Sequence, residues 1–258
     1  MERTKTQTKK IKKIVIVAHD HIGSYKVFEE VYNSFDECEF FMIIGEGLYY
    51  GKTFLQSVFH LIRKASLIFV FFRFIDLVTY KLRGRTLDTL CKKLNIPVIH
   101  TNDINSENIL SKVRSYNPDI ILSIFTMQIF KKELIGIPKY GCINVHPGIL
   151  PDYRGLETFF WAMANDENEI GVSVFFLNEE IDAGEVIREE RFPLTDDYTM
   201  ASLYDKCTEV SGRLLVKAIY DIDEDNINII HKRGKGTFYH MPTREAVRRF
   251  LKLGKRFQ

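Results

Sequence analysis

The sequence lacks the closely spaced cysteines that mark a structural metal site or a disulfide framework. Its four cysteines, Cys38, Cys91, Cys142 and Cys207, are far apart, and none forms a C-x-x-C pair. We therefore expect no metal and expect reduced thiols in a cytoplasmic protein. A signal peptide is not predicted either, because residues 1–13 are basic and polar and contain no apolar segment.

A strong net charge and a long uninterrupted apolar run are also missing. The formal net charge of +2 gives no electrostatic argument for a nucleic-acid partner, and we expect none. The apolar stretch at 67–75 contains Arg73 and is too interrupted for a spanning helix, which needs about 20 apolar residues. We expect residues 48–85 to form a helical excursion that packs on the domain or forms a dimer surface. A peripheral membrane contact through 48–75 is the less favoured alternative.

Short apolar runs alternate with amphipathic stretches along most of the chain. This order of strand, helix and strand predicts an α/β fold with a Rossmann-like, mostly parallel sheet. Gly45-Glu46-Gly47 does not make a dinucleotide-binding loop, because position 50, where a third glycine would be needed, is Tyr50. The predicted strands are 14–18, 40–44, 97–100, 119–124, 142–146 and 171–177, and the clearest helices are 27–35, 86–94, 106–115 and 199–222.

Three regions follow from this pattern. Residues 1–13 are predicted to be a mobile basic tail, and residues 14–222 form the α/β domain. Residues 223–258 are predicted to form a small C-terminal appendage of a hairpin and a helix. The hairpin strands would be 227–230 and 237–240, and the helix would begin at Thr243. Its arginines and lysine at positions 244, 248 and 252 are expected to form a solvated basic face, and contact with a diphosphate or a tRNA backbone is the alternative.

Two polar side chains that can take part in catalysis lie at the end of the fifth predicted strand. Asn144 and His146 alternate with apolar residues, so they point to one side of the strand, and Pro147 ends it. Open α/β sheets build their sites at this carboxyl edge. An asparagine amide can donate a hydrogen bond to a developing oxyanion, and a histidine, with an ordinary pKa of about 6.5, can give or take a proton.

Asp182, in the sequence Ile181–Gly184, is the third candidate. A carboxylate beside His146 would favour the imidazolium or order a proton-relay water. The structural alternatives are that Asn144 and His146 form a satisfied core pair and that Asp182 only forms a turn. No G-x-S-x-G motif is present, so direct transfer to a bound acceptor is more natural than a covalent enzyme intermediate.

These residues resemble a known family. The segment Asn144–Gly155, reading NVHPGILPDYRG, resembles the signature of the formyltransferases that use N10-formyltetrahydrofolate. Gly171-Val172-Ser173 and the segment 181–184 fit the family's next block. The family includes glycinamide ribonucleotide formyltransferase, methionyl-tRNA formyltransferase and the nucleotide-linked amino-sugar N-formyltransferases. The resemblance covers residues 14–222 and implies that they form a catalytic domain of the formyltransferase type. Phe175 is a departure, because many members have His there.

The resemblance implies roles for the site residues. Asn144 would stabilise the oxyanion, His146 would stabilise the tetrahedral intermediate and help to move a proton, and Asp182 would tune His146 and help to deprotonate the attacking amine. Tyr153 and Arg154 would shape the rim near the acceptor. The residues implied at the folate co-substrate are Ile124, Phe125, Thr126, Met127, Asn178, Ile181 and Ala183.

His19 and His21, after the first strand, are expected to lie at the acceptor pocket, although lone histidines are more often exposed loop residues. The function implied is transfer of a formyl group from N10-formyltetrahydrofolate to a primary amine. A nucleotide-linked amino sugar is the preferred acceptor, because the stretch after Ile222 looks more like that of the sugar enzymes, and a homodimer is a further expectation. The alternatives are glycinamide ribonucleotide or another small amine as acceptor, a formyltetrahydrofolate hydrolase, and a non-catalytic folate-binding protein.

Overall fold

The computed structural model describes residues 10–46, 67–82, 84–232 and 234–258. The first part of the expected helical excursion, residues 48–66, lies outside the described residues. Within the part that is described, Leu67–Leu82 is a helix. None of the described helices is long and apolar enough to cross a bilayer. Within the described ranges, no three His, Cys, Asp or Glu side chains are grouped as metal ligands.

A seven-stranded sheet forms the centre of the described structure, in the order β3-β2-β1-β4-β5-β7-β8. The first five strands are parallel, whereas β7 is antiparallel to both β5 and β8. The prediction of an α/β fold with a mostly parallel sheet is therefore confirmed. The strands are β1 Lys13–His19, β2 Glu39–Gly45, β3 Val98–Thr101, β4 Ile120–Ile124, β5 Cys142–His146, β6 Arg154–Gly155, β7 Glu169–Phe176, β8 Val186–Pro193 and β9 Phe238–Tyr239.

Helices cover the two faces of this sheet. The longest begins after Thr199, whose hydroxyl accepts a hydrogen bond from the Ser202 amide in a capping box. The first helix begins at Ile22, five residues before the predicted start at Val27, because the side chain of His21 caps it. The helices are α1 Ile22–Ser34, α2 Leu67–Leu82, α3 Leu87–Lys93, α4 Glu107–Tyr116, α5 Lys132–Ile135, α6 Thr158–Ala164, α7 Met200–Asp223 and α8 Arg244–Lys252.

Alternate residues of the central strand β1 enter two different cores. Ile14 and Ile16 face the core formed with α1 and α7, whereas Val15 and Val17 face the core formed with α4. Because both faces are covered, the strand is a continuous apolar run, as expected for a buried parallel strand. Helix α6 was not predicted, because all seven of its residues are buried and it therefore has no amphipathic period.

The order of the strands reverses between β1 and β4, which pair directly. In open α/β sheets the crevice outside the carboxyl ends of the strands at such a reversal binds ligands. The carboxyl ends of β1, β4 and β5 are at His19, Ile124 and His146. The fold thus places most of the predicted site residues along one edge of the sheet.

The predicted C-terminal hairpin is wrong. Ile230 bridges Val186 of β8, and β9 pairs in parallel with β6, so the two predicted hairpin strands pair with the domain and not with each other. The indole of Trp161 also donates a hydrogen bond to the carbonyl of His240 at 2.8 Å. Strand β8 lies at the edge of the sheet and offers unpaired backbone groups. The alternation of apolar and polar residues suggested a hairpin strand. The same alternation is expected whether the segment pairs with a second C-terminal strand or with a strand of the domain.

The predicted mobile tail is ordered in its last four residues. Residues 1–9 lie outside the described ranges, but Ile11 is buried and Lys13 begins β1. The backbone N–H groups of Lys10 and Ile11 both donate to Oδ1 of Asp223, at 2.7 Å each. The chain entering the domain is therefore tied to the end of α7 by one buried carboxylate.

Asp223→Ala should lower the free energy of unfolding by about 2 kcal/mol, because the buried N–H of Ile11 and the part-buried N–H of Lys10 lose a charged acceptor. Urea unfolding followed by circular dichroism would measure the change. Asp225→Asn is the control, because this side chain, which pairs with Lys10, is 73% exposed and should contribute little. Equal effects of the two substitutions would show that Asp223 does not anchor the tail.

Candidate active site

His146 is held at the end of β5 by the loop that follows it. Its side chain is buried, and Nε2 lies 2.6 Å from the carbonyl oxygen of Tyr153. Because a carbonyl can only accept, Nε2 carries the hydrogen, which leaves Nδ1 with a lone pair in the neutral imidazole. Nδ1 lies 3.9 Å from Oδ2 of Asp182. The structure thus brings His146 and Asp182 together, with the proton-accepting nitrogen on the side of the carboxylate.

The loop that carries Asp182 is fixed by the segment Arg154-Gly155. Oδ2 of Asp182 accepts a hydrogen bond from the Gly155 amide at 2.8 Å, and the carbonyl of Ile181 accepts one from Nε of Arg154 at 2.9 Å. Asp182 has a φ of +49°, in the left-handed region that a non-glycine residue enters at a cost. These bonds hold the carboxylate in place against that strain.

Two glycines allow the loops to approach one another. Gly155 has a φ of +98°, and a Cβ there would lie 2.1 Å from the carbonyl oxygen of Tyr239 in β9. A Cβ on Gly148 would lie 2.8 Å from Nε2 of His146. The hydroxyl of Ser173, the strand partner of His146, donates to the carbonyl of Gly148 at 2.8 Å. The glycines in the NVHPGILPDYRG segment are therefore required by close backbone packing.

Asn144 lies two residues before His146 on the same strand and is half-buried. Among the described residues its amide has no hydrogen-bond partner, so it can donate to a bound molecule. Its neighbour on β7 is Phe175, which is fully buried and packs with Leu150 and Val186. Phe175 therefore fills an apolar core beneath the site, at the position where many members of the resembling family have His.

The first segment predicted to flank the folate, residues 124–127, begins at the last residue of β4. Ile124 is fully buried in the core. Phe125 has a φ of +49°, and its ring stacks on His21 with centroids 5.6 Å apart. The hydroxyl of Thr126 accepts from the backbone of Gln128 at 3.4 Å. Met127, the fourth predicted residue, is half-buried. The segment lies at the reversal point of the sheet, and its contact with folate stays a prediction.

The second predicted folate segment is a turn shaped by Asn178. Its amide oxygen accepts from the Glu180 backbone at 3.0 Å, and its amide nitrogen donates to the carbonyl of Ala183 at 3.3 Å. The side chain of Ile181 is 41% exposed. The turn connects β7 to β8 and carries Asp182, so its backbone lies beside the catalytic candidates.

The two residues predicted at the acceptor rim make hydrogen bonds with other residues of the protein. The hydroxyl of Tyr153 donates to Glu167 at 2.6 Å, and its ring stacks on Tyr239 with centroids 5.0 Å apart. It is the carbonyl of Tyr153 that contacts His146. The guanidinium of Arg154 is engaged by the Ile181 carbonyl. Both residues support the position of His146 and Asp182, and direct contact with an acceptor stays a prediction.

The two predicted acceptor histidines differ in their surroundings. Nδ1 of His19 donates to the carbonyl of Gly45 at 3.1 Å. Nδ1 of His21 instead accepts from the amides of Gly23 and Ser24, at 3.1 and 3.3 Å, and so caps α1. The hydroxyl of Tyr204 lies 2.9 Å from the same nitrogen. Burial, with His19 and Arg73 adding positive charge, holds the pKa of His21 well below its usual value.

Arg73 and Glu157 were missed by sequence reasoning. Arg73 of α2 reaches Oε1 of Glu157 at 3.6 Å and lies over the ring of Tyr204 at 5.8 Å. Oε2 of Glu157 is buried and has no hydrogen-bond partner in the described chain, and its burial raises the pKa of this carboxyl although Arg73 opposes the shift. Glu157 follows Gly155 by two residues, so this pair adjoins the site. The indication of this pair in the sequence is Arg73, a single arginine within an apolar run.

The helix cap made by His21 should be sensitive to pH. Its folded pKa is lowered, so the unfolded state takes up a proton first as pH falls below about 6.5, and stability is lost in that window. His21→Asn keeps a good capping residue that does not titrate. We expect the stability advantage of the unmodified protein over this variant to shrink by up to about 1.4 kcal/mol per pH unit below about 6.5.

Urea unfolding at neutral pH and at about pH 5 measures this difference. His231→Asn is the matched control, since His231 is exposed and outside the site. A gap between His21→Asn and the unmodified protein that stays constant with pH would contradict the assignment of His21 as a neutral cap.

Comparisons with known proteins identify the family to which the chain is similar. A family model described as formyl transferase matches residues 84–219, more than half of the chain. A methionyl-tRNA formyltransferase of Halothermothrix orenii is 32% identical over 145 residues, which are 56% of this chain and 46% of that protein. The chain thus spans about half the length of the curated relative that it matches.

Solved structures extend the likeness over most of the fold. Glycinamide ribonucleotide transformylase 1 from Symbiobacterium toebii superposes with a TM-score of 0.62 and 15% identity, covering 89% of this chain and 99% of that one. A sugar 3N-formyl transferase, solved with dTDP and 5-N-formyl-THF, gives 0.58 and 17%, covering 89% and 69%. At these identities the superpositions establish the fold alone. The match of the family model over residues 84–219 shows that the chain belongs to the formyl transferase family.

Proposed function

We propose that this protein transfers a formyl group from N10-formyltetrahydrofolate to a primary amine. The observation that carries the proposal is the juxtaposition of an unpaired amide, an imidazole and a carboxylate at the carboxyl edge of the sheet. Asn144 and His146 lie on one side of β5, and Asp182 approaches Nδ1 of His146 to 3.9 Å. Membership of the formyl transferase family supports the same chemistry.

Each of the three side chains has a task in such a reaction. The attacking amine forms a bond to the formyl carbon while the carbonyl oxygen becomes an oxyanion, and the amide of Asn144 can donate to that oxygen. Nδ1 of His146 can take the proton that the amine loses and return it to the departing folate nitrogen. The carboxylate of Asp182 stabilises the imidazolium that exists between these two steps. No bond to the protein is formed.

The two turns beside the trio supply the proposed folate site. Residues 124–127 begin at the end of β4 and residues 178–183 follow β7, where the ring of Phe125 is half-buried and the side chain of Ile181 is 41% exposed. A pterin is flat and has polar edges, so backbone donors and acceptors next to apolar side chains fit it. The sugar 3N-formyl transferase of the same fold was solved with 5-N-formyl-THF, which supports a folate as the co-substrate here.

The acceptor is proposed to be a nucleotide-linked amino sugar, bound on the side of the crevice that carries His19 and His21. The buried, unpaired oxygen of Glu157 adjoins the same region and could accept a hydrogen bond from a hydroxyl or amine of the sugar. A cytoplasmic location and a homodimer remain part of this proposal. The relatives named above act on different acceptors by their names, so the acceptor has to be measured.

The direct test is release of tetrahydrofolate from N10-formyltetrahydrofolate with a panel of acceptors. The panel contains nucleotide-linked amino sugars, glycinamide ribonucleotide, charged methionyl-tRNA and no acceptor. Release that requires one amino sugar, with a matching gain of formyl mass, would establish both parts of the proposal. Release without acceptor would indicate a hydrolase, and absence of folate binding would refute the proposed function.

Asp182→Asn should lower turnover by about 10² while leaving folate affinity and the loop intact. Asparagine tolerates the left-handed conformation at this position, and its oxygen can still accept from Gly155, so the main loss is the charge beside His146. Asp166→Asn is the control, because Asp166 also has a positive φ, of 56°, and is 59% exposed. Unchanged turnover for Asp182→Asn would remove the carboxylate from the mechanism.

A further inference from the structure

Three polar residues of helix α2, Arg73, Asp76 and Tyr80, contact the rest of the protein. Arg73 is held by Asp76 and Glu157, and Asp76 also accepts from the side chain of Gln258 at 3.3 Å. The hydroxyl of Tyr80, on a buried side chain, donates to Asp20 at 2.7 Å. A surface helix of a water-soluble domain ordinarily has the opposite arrangement, with its charges outward.

The outward side of α2 is apolar. Seven large hydrophobic side chains of this one helix are at least 37% exposed, and Phe71 and Phe74 are 58% and 59% exposed. They recur at spacings of three and four residues, so they form a continuous stripe along the helix. The stripe consists of Leu67, Ile68, Phe71, Phe74, Ile75, Val78 and Leu82. A contiguous apolar face of this kind on a folded protein marks an interaction surface.

The charge of the surrounding sequence is strongly positive. Between residues 47 and 87 there are seven lysines and arginines and a single acidic residue, Asp76, which faces inward and pairs with Arg73. Lys81 adjoins Leu82, the last residue of the stripe, Arg83 and Arg85 follow it, and two more basic residues, at 63 and 64, precede Leu67 in sequence. The sequence on both sides of the stripe therefore favours a partner that accepts positive charge.

We propose that the apolar stripe of α2 docks onto an anionic lipid surface. Pairing with a second copy of this chain would juxtapose two stripes that are both flanked in sequence by basic residues, and between residues 47 and 87 Asp76 is the only acidic residue that could compensate. Anionic headgroups neutralise the basic residues, while the aromatic and aliphatic side chains enter the boundary of the acyl chains. The helix lies in the plane of the interface and does not span it.

The test is co-sedimentation of the full chain with vesicles of phosphatidylcholine alone or of phosphatidylcholine with phosphatidylglycerol. We expect binding to the anionic vesicles that weakens with added salt. Phe71→Ser with Phe74→Ser should reduce this binding at least about tenfold, since two aromatic anchors are lost. Arg85→Gln should reduce it about fivefold. Ile129→Ser is the matched control, because Ile129 is 56% exposed on another surface.

Tryptophan fluorescence tests the proposal even if the variant with two serines folds poorly. Phe71→Trp adds an indole to a chain whose single tryptophan, Trp161, is buried. Its emission should shift to the blue with anionic vesicles, whereas Ile129→Trp should not respond. The proposal is overturned if the unmodified protein binds no vesicles, as when another segment of the chain covers the stripe. It is equally overturned if light scattering shows a lipid-free dimer that the Phe71 and Phe74 substitutions dissolve. Either result leaves the formyl-transfer assay unaffected.

Discussion

The hydrogen bond from the Gly155 amide to the carboxylate of Asp182 is the contact on which the proposed site depends. It joins the loop after β5 to the turn between β7 and β8, two segments separated by 27 residues in sequence. This bond fixes the carboxylate within reach of His146, because the two side chains themselves are 3.9 Å apart and not hydrogen-bonded. A charged acceptor makes it stronger than a bond between neutral groups.

The same contact explains why the C-terminal segment belongs to the site. Gly155 is one of the two residues of β6, and β6 pairs with β9 at the far end of the chain. The ring of Tyr239 in β9 stacks on Tyr153, whose carbonyl orients His146. The C-terminal residues thus form the outer support of the loop that carries the catalytic candidates, and an appendage independent of the domain is not what the structure contains.

The sequence allowed the sheet and the common side of Asn144 and His146 to be predicted because both are encoded locally, whereas the approach of Asp182 to His146 is a long-range contact that was expected from the family resemblance. Apolar runs such as Ile14–Ala18 mark buried strands, and the alternation of Asn144 and His146 sets their common side. Long-range pairing is not encoded in this way, so the partner of β9 was assigned wrongly and helix α6, buried all round, was overlooked. The roles of Arg73 and Glu157 were also hidden, since a lone charge in an apolar run does not name its partner.

The polar contacts on the inner face of α2 restrict how the apolar stripe on its outer face can bind a surface. Arg73, Asp76 and Tyr80 are satisfied by the domain, and burying them in hydrocarbon without those partners would cost several kcal/mol for each charged group. The helix can therefore place its stripe at an interface only while it remains docked on the domain. Because Arg73 also contacts Glu157, which follows Gly155 by two residues, the inner face of α2 links the helix to the segment that holds Asp182, and a surface that binds the stripe would lie on the opposite side of the helix.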